Sequence, residues 1–140
     1  MRVYISGKMT GCPDLNRPAF DAAEKWLTAQ GHFVINPHRI SALFGTAEEL
    51  ECSFFALYEL EKPQNAYTTM SNLDKAMNED CAYLARAVMD ADLAAVRSCN
   101  AIYLLRGWET SRGAKKELAE ALALGLTVMQ EPISCNPAGK

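Results

Sequence analysis

The sequence has no apolar run longer than a few residues. A membrane-crossing helix needs about 20, so no transmembrane span is expected. Histidine is scarce, with only His32 and His38. The five cysteines, Cys12, Cys52, Cys81, Cys99 and Cys135, include no Cys-x-x-Cys pair. These absences argue against a zinc site, and no metal is expected. An odd number of well-separated cysteines also argues against a disulfide framework and fits free thiols in a reducing cytoplasm. Neither sign of charge dominates, with 14 basic and 17 acidic residues and a net charge of −3. That balance speaks against a nucleic-acid polymer as main partner and leaves room only for a local basic pocket. Neither an internal repeat nor a low-complexity segment is found. The opening Met1-Arg2-Val3-Tyr4-Ile5-Ser6-Gly7 reads as a strand entering a glycine turn, not as a signal peptide.

What is present is one domain's worth of ordinary globular sequence over 1–140. The 140 residues, 49% apolar and 22% charged, can bury roughly two-thirds of their surface without a disulfide or metal. Arg2 to Ser6 has the content of a buried strand. Asn16 and Pro18 suit a helix start, Phe20, Ala23 and Leu27 recur at helical spacing, and Gly31 ends the helix. His32 to Ile35 reads as a second strand, closed by Asn36-Pro37. Thr46 and Glu49 form a capping box ahead of the stripe Leu50, Phe54, Leu57 and Tyr58. Lys62 to Ser71 reads as loop, and a long helix is expected from about Leu73 to Val96. Ala101 to Leu105 is the clearest central strand, Ala114 to Leu124 a helix stopped by Gly125, and Leu126 to Met129 a last strand. Strands alternating with helices imply a three-layer α/β domain with a parallel sheet of four to five strands.

In such a sheet, ligands bind beyond the carboxyl ends of the strands. Three segments fall there: Ser6 to Gly11, Asn36 to Arg39, and Arg106 to Gly113. Gly7-Lys8 lacks the spacing of a Walker phosphate loop. It leaves two readings, a glycine turn whose amides approach an anion, or a tight connection with no ligand. Ser111 stands at a helix N-cap before Gly113. That position suits phosphate, or is a plain cap.

Two carboxylates stand out. On a helical wheel Glu117 lies about 60° from Ala114, at the border of the apolar stripe. Asp92 lies beside the face formed by Leu84, Val88, Ala91 and Ala95, whereas Asp90 points away. An inward carboxylate near a strand end is a salt-bridge partner or a working group. Two of them near one cleft, with Tyr4 on the first strand, suit nucleophile and acid/base roles in glycosidic chemistry.

Taken together, these motifs look like one family. They are Tyr4-Ile5-Ser6-Gly7-x-Met9-Thr10-Gly11, Val34-Ile35-Asn36-Pro37, Asp92-Leu93-Ala94-Ala95, and Ala101-Ile102-Tyr103-Leu104-Leu105-x-Gly107-Trp108-Glu109-x-Ser111-x-Gly113-Ala114-x-x-Glu117. They resemble a largely bacterial and phage family of the nucleoside 2-deoxyribosyltransferase-like superfamily. The match covers 1–42 and about 90–130, and 43–89 stands as a divergent helical insertion. The resemblance implies a flavodoxin/Rossmann-like fold, cleavage of an N-glycosidic bond, no organic cofactor, and a homodimer or higher homo-oligomer. It implies Glu117 as nucleophile, Asp92 as the residue managing the proton, and Tyr4 as the residue orienting Glu117. Ser111 resembles the phosphate-binding serine of 2′-deoxynucleoside 5′-phosphate N-hydrolases, where the transferases typically carry aspartate. Ser6, Gly7, Met9, Gly11 and Gly113 would line the same phosphate, with Lys8 or Arg112 adding charge. Thr10 departs from the arginine usual in those hydrolases. Trp108 would stack on a base or pack on its own domain. Ser134 and Asn136 are further candidates, supplied to a neighbouring subunit.

The leading expectation is therefore a cytoplasmic N-glycosidase acting on a (deoxy)nucleoside 5′-monophosphate. The alternatives are a deoxyribosyltransferase and a non-catalytic nucleotide-binding protein of the same fold. A third class is a partner-binding protein that uses Phe54, Phe55, Leu57 and Tyr58 as an exposed patch.

Overall fold

The computed structural model describes residues 1–62 and 72–132, with side chains described from residue 77 onward in the helix that begins at Asn72. Ser134, Asn136, Cys135 and most of the expected 62–71 loop lie outside the described residues. The chain runs β1 (Arg2–Ser6), α1 (Arg17–Ala29), β2 (Phe33–Ile35), α2 (Pro37–Ser41), α3 (Ala47–Glu61), α4 (Asn72–Arg97), β3 (Ala101–Leu104), α5 (Arg112–Ala123) and β4 (Thr127–Gln130). The four strands form one all-parallel sheet in the order β2-β1-β3-β4. This is the expected α/β class, of flavodoxin/Rossmann-like type.

Side-chain alternation along β1 sorts the core into two layers. Val3 and Ile5 face α1 and pack with Phe20, Ala23 and Leu27. Tyr4 faces the other way and packs with Ile102 and Leu104 of β3, Val96 of α4 and Ala121 of α5. Ser6 shares the parity of Tyr4, so both point to the side covered by α4 and α5. The chain steps from β1 to β2 on one side and to β3 on the other. The crevice of an open α/β sheet opens where that direction reverses. Here that is beyond Ser6 and Leu104, which are partners in the β1–β3 register.

The helical middle forms a second body of packing. Thr46 and Glu49 form the expected capping box on α3. Ala56 and Leu57 of α3 pack on Ala82 and Ala85 of α4. Leu50 and Val88 close over Leu15. The buried Ser53 hydroxyl donates to the Cys81 carbonyl at 2.6 Å and accepts from the Ala85 amide at 2.7 Å. It therefore bridges two backbone groups four residues apart on α4 and ties the two helices together.

Four expectations change. Asn16 stands at the N-cap of α1 but does not cap it. Its backbone is left-handed, and its side-chain amide donates to the Lys8 carbonyl at 2.9 Å. Residues Asn36 to Arg39 follow β2 as expected, but they cap and begin a short helix, α2, that the sequence pattern does not include. Phe54, Phe55, Leu57 and Tyr58 do not form one exposed patch. Leu57 is buried and Phe54 half-buried, while Phe55 stays 61% exposed. The buried face of α4 runs Ala82, Ala85, Val88, Asp92 and Val96, which puts Asp92 within the stripe rather than beside it.

One unusual local feature shapes the loop after β1. Asp14, Leu15 and Asn16 have φ of 51°, 52° and 62°. Left-handed backbone costs a non-glycine residue about 1–2 kcal/mol, so the surroundings must hold it. The Leu15 side chain is buried against Leu50 and Val88, and the Leu15 carbonyl pairs with His38 Nε2 at 2.9 Å. With the Asn16–Lys8 bond, these contacts fix where residues 8–11 lie over the sheet.

Candidate active site

A cavity of about 470 Å³ opens at this crevice. Its floor and one side carry Gly7, Lys8, Met9 and Thr10 after β1, and Thr110 to Lys116 at the start of α5. Asp92 of α4 and Glu117 of α5 also line it.

Glu117 is 6% exposed and sits in the middle of the buried face of α5, between Ala114 and Ala121. Tyr4 OH donates to its Oε2 at 2.8 Å, and Ser6 Oγ donates to its Oε1 at 2.6 Å. Two strand residues of the same parity thus hold both carboxylate oxygens. Burial raises Glu117 to about 7, against the pull of the Ser6 and Tyr4 donors, which favour the ionised form. Tyr4 itself is raised well above its usual value by its own burial and by the charge of Glu117, so it remains a hydrogen-bond donor.

Asp92 is the opposite case. It is 4% exposed, and its buried Oδ1 has no hydrogen-bond partner. Burial, and then the charge of Glu117, raise it to about 9. Of two interacting carboxyls, the one with two donors ionises first and the one without holds the proton. Between those two values the pair is therefore a carboxylate at Glu117 and a carboxylic acid at Asp92. Environments that push two titratable groups apart in this way assign the base or nucleophile and the acid.

The chain belongs to the DUF4406 family. That profile, described as a domain of unknown function, matches residues 1–130. Neither the comparison with curated proteins nor that with solved structures finds a match. The matched span includes residues 43–89, and in this DUF4406 domain that stretch supplies part of the cavity wall.

The remaining candidates separate clearly. At the start of α5, Ser111 is the N-cap, and its Oγ accepts from the Ala114 amide at 3.1 Å. That bond uses the oxygen as acceptor and leaves the hydroxyl proton free to donate, and Ser111 lines the cavity. Gly113 lines the cavity, and a Cβ there would come within 3.1 Å of Met89 Cε. Lys8 and Met9 also line it, whereas Gly11 does not. Ser6 acts from the end of β1 through Glu117 rather than from the loop. Trp108 is half-buried against the Tyr4–Ile102–Leu104 cluster and lies outside the lining. Arg39 is turned outward to Glu24. Arg112 and Lys116 line the cavity and both pair with Glu61. Among the described residues, no group of three or more His, Cys, Asp or Glu is placed to hold a metal ion.

Gly7 is required for a reason unrelated to anions. A Cβ on it would sit 2.8 Å from Leu105 Cβ and 2.9 Å from Leu105 Cδ1. The first of these is a fixed atom next to the backbone, so the turn cannot relax easily. Gly7→Ala is expected to destabilise the fold by about 1–3 kcal/mol. Urea unfolding followed by circular dichroism checks this, and an unchanged midpoint contradicts it.

Sequence reasoning missed the opposite wall of the cavity. Leu50, Phe54, Leu57, Tyr58 and Glu61 of α3, and Met89 of α4, all line it. The α3 stripe was visible as helical periodicity, but periodicity does not say what a stripe faces. Lys116 lies off the apolar stripe of α5, yet its long side chain reaches the cavity.

Proposed function

We propose that this DUF4406 domain is an N-glycosidase that releases the base from a (deoxy)nucleoside 5′-monophosphate. The observation that carries the reading is the unlike carboxyl pair at one cavity wall, with Glu117 gripped by Tyr4 and Ser6 and Asp92 unpartnered. The motif resemblance to the nucleoside 2-deoxyribosyltransferase-like superfamily supports the same roles.

In this mechanism the Glu117 carboxylate attacks C1′ of the sugar. The C1′–N bond breaks, its electron pair leaves with the base, and the Asp92 proton goes to that base. The product is a glycosyl ester on Glu117. Asp92, now a carboxylate, takes a proton from water as that water attacks C1′. Sugar 5-phosphate leaves, Glu117 is regenerated as a carboxylate, and Asp92 is again protonated. Tyr4 and Ser6 hold Glu117 in place throughout.

A cavity near 470 Å³ falls within the roughly 300–1,000 Å³ range of small-ligand sites. The apolar wall of Phe20, Leu50, Phe54, Leu57 and Met89 offers a base a surface to lie against. Ser111, the α5 amides and Lys8 suit a 5′-phosphate at the other end. The reading places the protein in the cytoplasmic nucleotide metabolism of a bacterium or phage and includes a homodimer, which light scattering checks.

The test is a base-release screen. Wild type and Glu117→Gln are incubated with the common ribo- and deoxyribonucleosides and their 5′-monophosphates, and free base is read by chromatography. Release from a monophosphate but not its nucleoside, absent in the variant, is the expected result. No release from any of them overturns the reading.

A further inference from the structure

Glu61, at the last turn of α3, places one carboxylate oxygen on each of two cations at the start of α5. Its Oε1 lies 3.3 Å from Arg112 Nη1, and its Oε2 lies 2.9 Å from Lys116 Nζ. All three residues line the cavity that holds Asp92 and Glu117. Two oxygens bridging an arginine and a lysine beside a helix N-terminus is the arrangement a phosphate would make there. The Arg112 guanidinium also lies 4.4 Å from the centroid of the Tyr58 ring, so it stays placed if the carboxylate leaves. Independently, the buried and unpartnered Asp92 Oδ1 on the wall of the same cavity marks the space as one shaped for a ligand.

We propose that Glu61 occupies the anion subsite of Arg112 and Lys116 in the free chain, and is a specificity-setting residue that a multiply charged anionic group displaces. The inference rests on the phosphate end of the proposed function. The cations are nearly half exposed, with 42% and 46% of their side-chain surface accessible. Ion pairs this exposed are weak. A phosphate, with a charge of about −1.5 to −2 near pH 7 and three acceptor oxygens, offers both cations more than one carboxylate does. A neutral nucleoside offers them nothing and leaves Glu61 where it is. Glu61 thus screens the two cations from singly charged anions while keeping them positioned for a phosphate.

The experiment measures binding of inorganic phosphate, and separately of an uncharged nucleoside, by calorimetry to wild type, Glu61→Gln and Arg112→Gln. Glu61→Gln is expected to tighten phosphate about three- to tenfold, as removal of two weak competing pairs predicts, with nucleoside affinity unchanged. Arg112→Gln is expected to weaken phosphate. If wild type binds phosphate through Arg112 and Glu61→Gln binds it no better, the inference is overturned and the proposed function stands. Glu61 then orients the cations instead of competing for them. If none of the three binds phosphate, the phosphate end of the proposed function falls, and this inference with it.

Discussion

Glu117→Gln is expected to lower base release by roughly a thousandfold or more, the scale seen when a covalent nucleophile is removed, while ligand binding changes little. The amide is nearly the same size. Its oxygen can accept from one of the Tyr4 and Ser6 hydroxyls and its NH2 can donate to the other, at the positions where both hydroxyls now donate to Glu117 at 2.8 and 2.6 Å. What it cannot do is form and break a glycosyl ester. The split between rate and affinity therefore separates a nucleophile from a binding group. A binding protein that used Glu117 only as a contact would have no base release to lose and would tolerate the amide with little loss of affinity. Calorimetric affinity and single-turnover rate, measured on the same two proteins, give the comparison. Equal losses in both contradict the assignment.

The second large effect is on pH dependence. Attack requires Glu117 ionised, and departure of the base requires Asp92 protonated. With Glu117 raised to about 7 and Asp92 to about 9, the activity is expected to rise through the first value and fall through the second. The two limbs belong to the pair as a whole. Stability runs differently. Both carboxyls bind their protons more tightly folded than at their ordinary values of 4.5 and 3.8. Their contribution to stability is thus fully present below about pH 4 and is lost as pH rises through about 7 and 9. Asp92→Asn removes one ionisation while keeping a polar group of similar size. It should therefore lose less stability than wild type between pH 5 and pH 9, by on the order of a few kcal/mol, and lose most activity at every pH. Urea unfolding at the two pH values checks the first point. A wild type as stable at pH 9 as at pH 5 contradicts the raised values.

The parts of this account that were legible in the sequence share one property. They depend on short-range periodicity or on local chemistry. The buried strand Arg2 to Ser6, the capping box at Thr46, the stop at Gly31 and the inward position of Glu117 are all local statements. The inward position of Asp92 is legible too, although the pattern puts it at the edge of its helix face and the structure buries it within that face. The sequence pattern centres that face on Leu84, Val88, Ala91 and Ala95, whereas tertiary packing against α3 buries Ala82 and Ala85 and turns the face toward Asp92. The Ser6–Glu117 bond was not visible, because it needs the strand end and the helix start to be neighbours in space. The α3 wall was missed because α3 is far in sequence from both β1 and α5. Glu61 meets Arg112 and Lys116 only through tertiary packing, and 51 and 55 residues separate them. The left-handed turn at Asp14 to Asn16 has no sequence signature, since Leu15 is a residue type that ordinarily avoids it.

The central claim is that Glu117 becomes covalently bonded to the sugar during turnover. The direct measurement is intact-protein and peptide mass spectrometry after acid quench, using a monophosphate substrate with fluorine at C2′ to slow breakdown of the ester. The account predicts a mass gain equal to the fluorinated sugar phosphate residue, located on the peptide containing Glu117 and absent in Glu117→Gln. Base release that proceeds with no adduct at any quench time, or with the adduct on another residue, contradicts it.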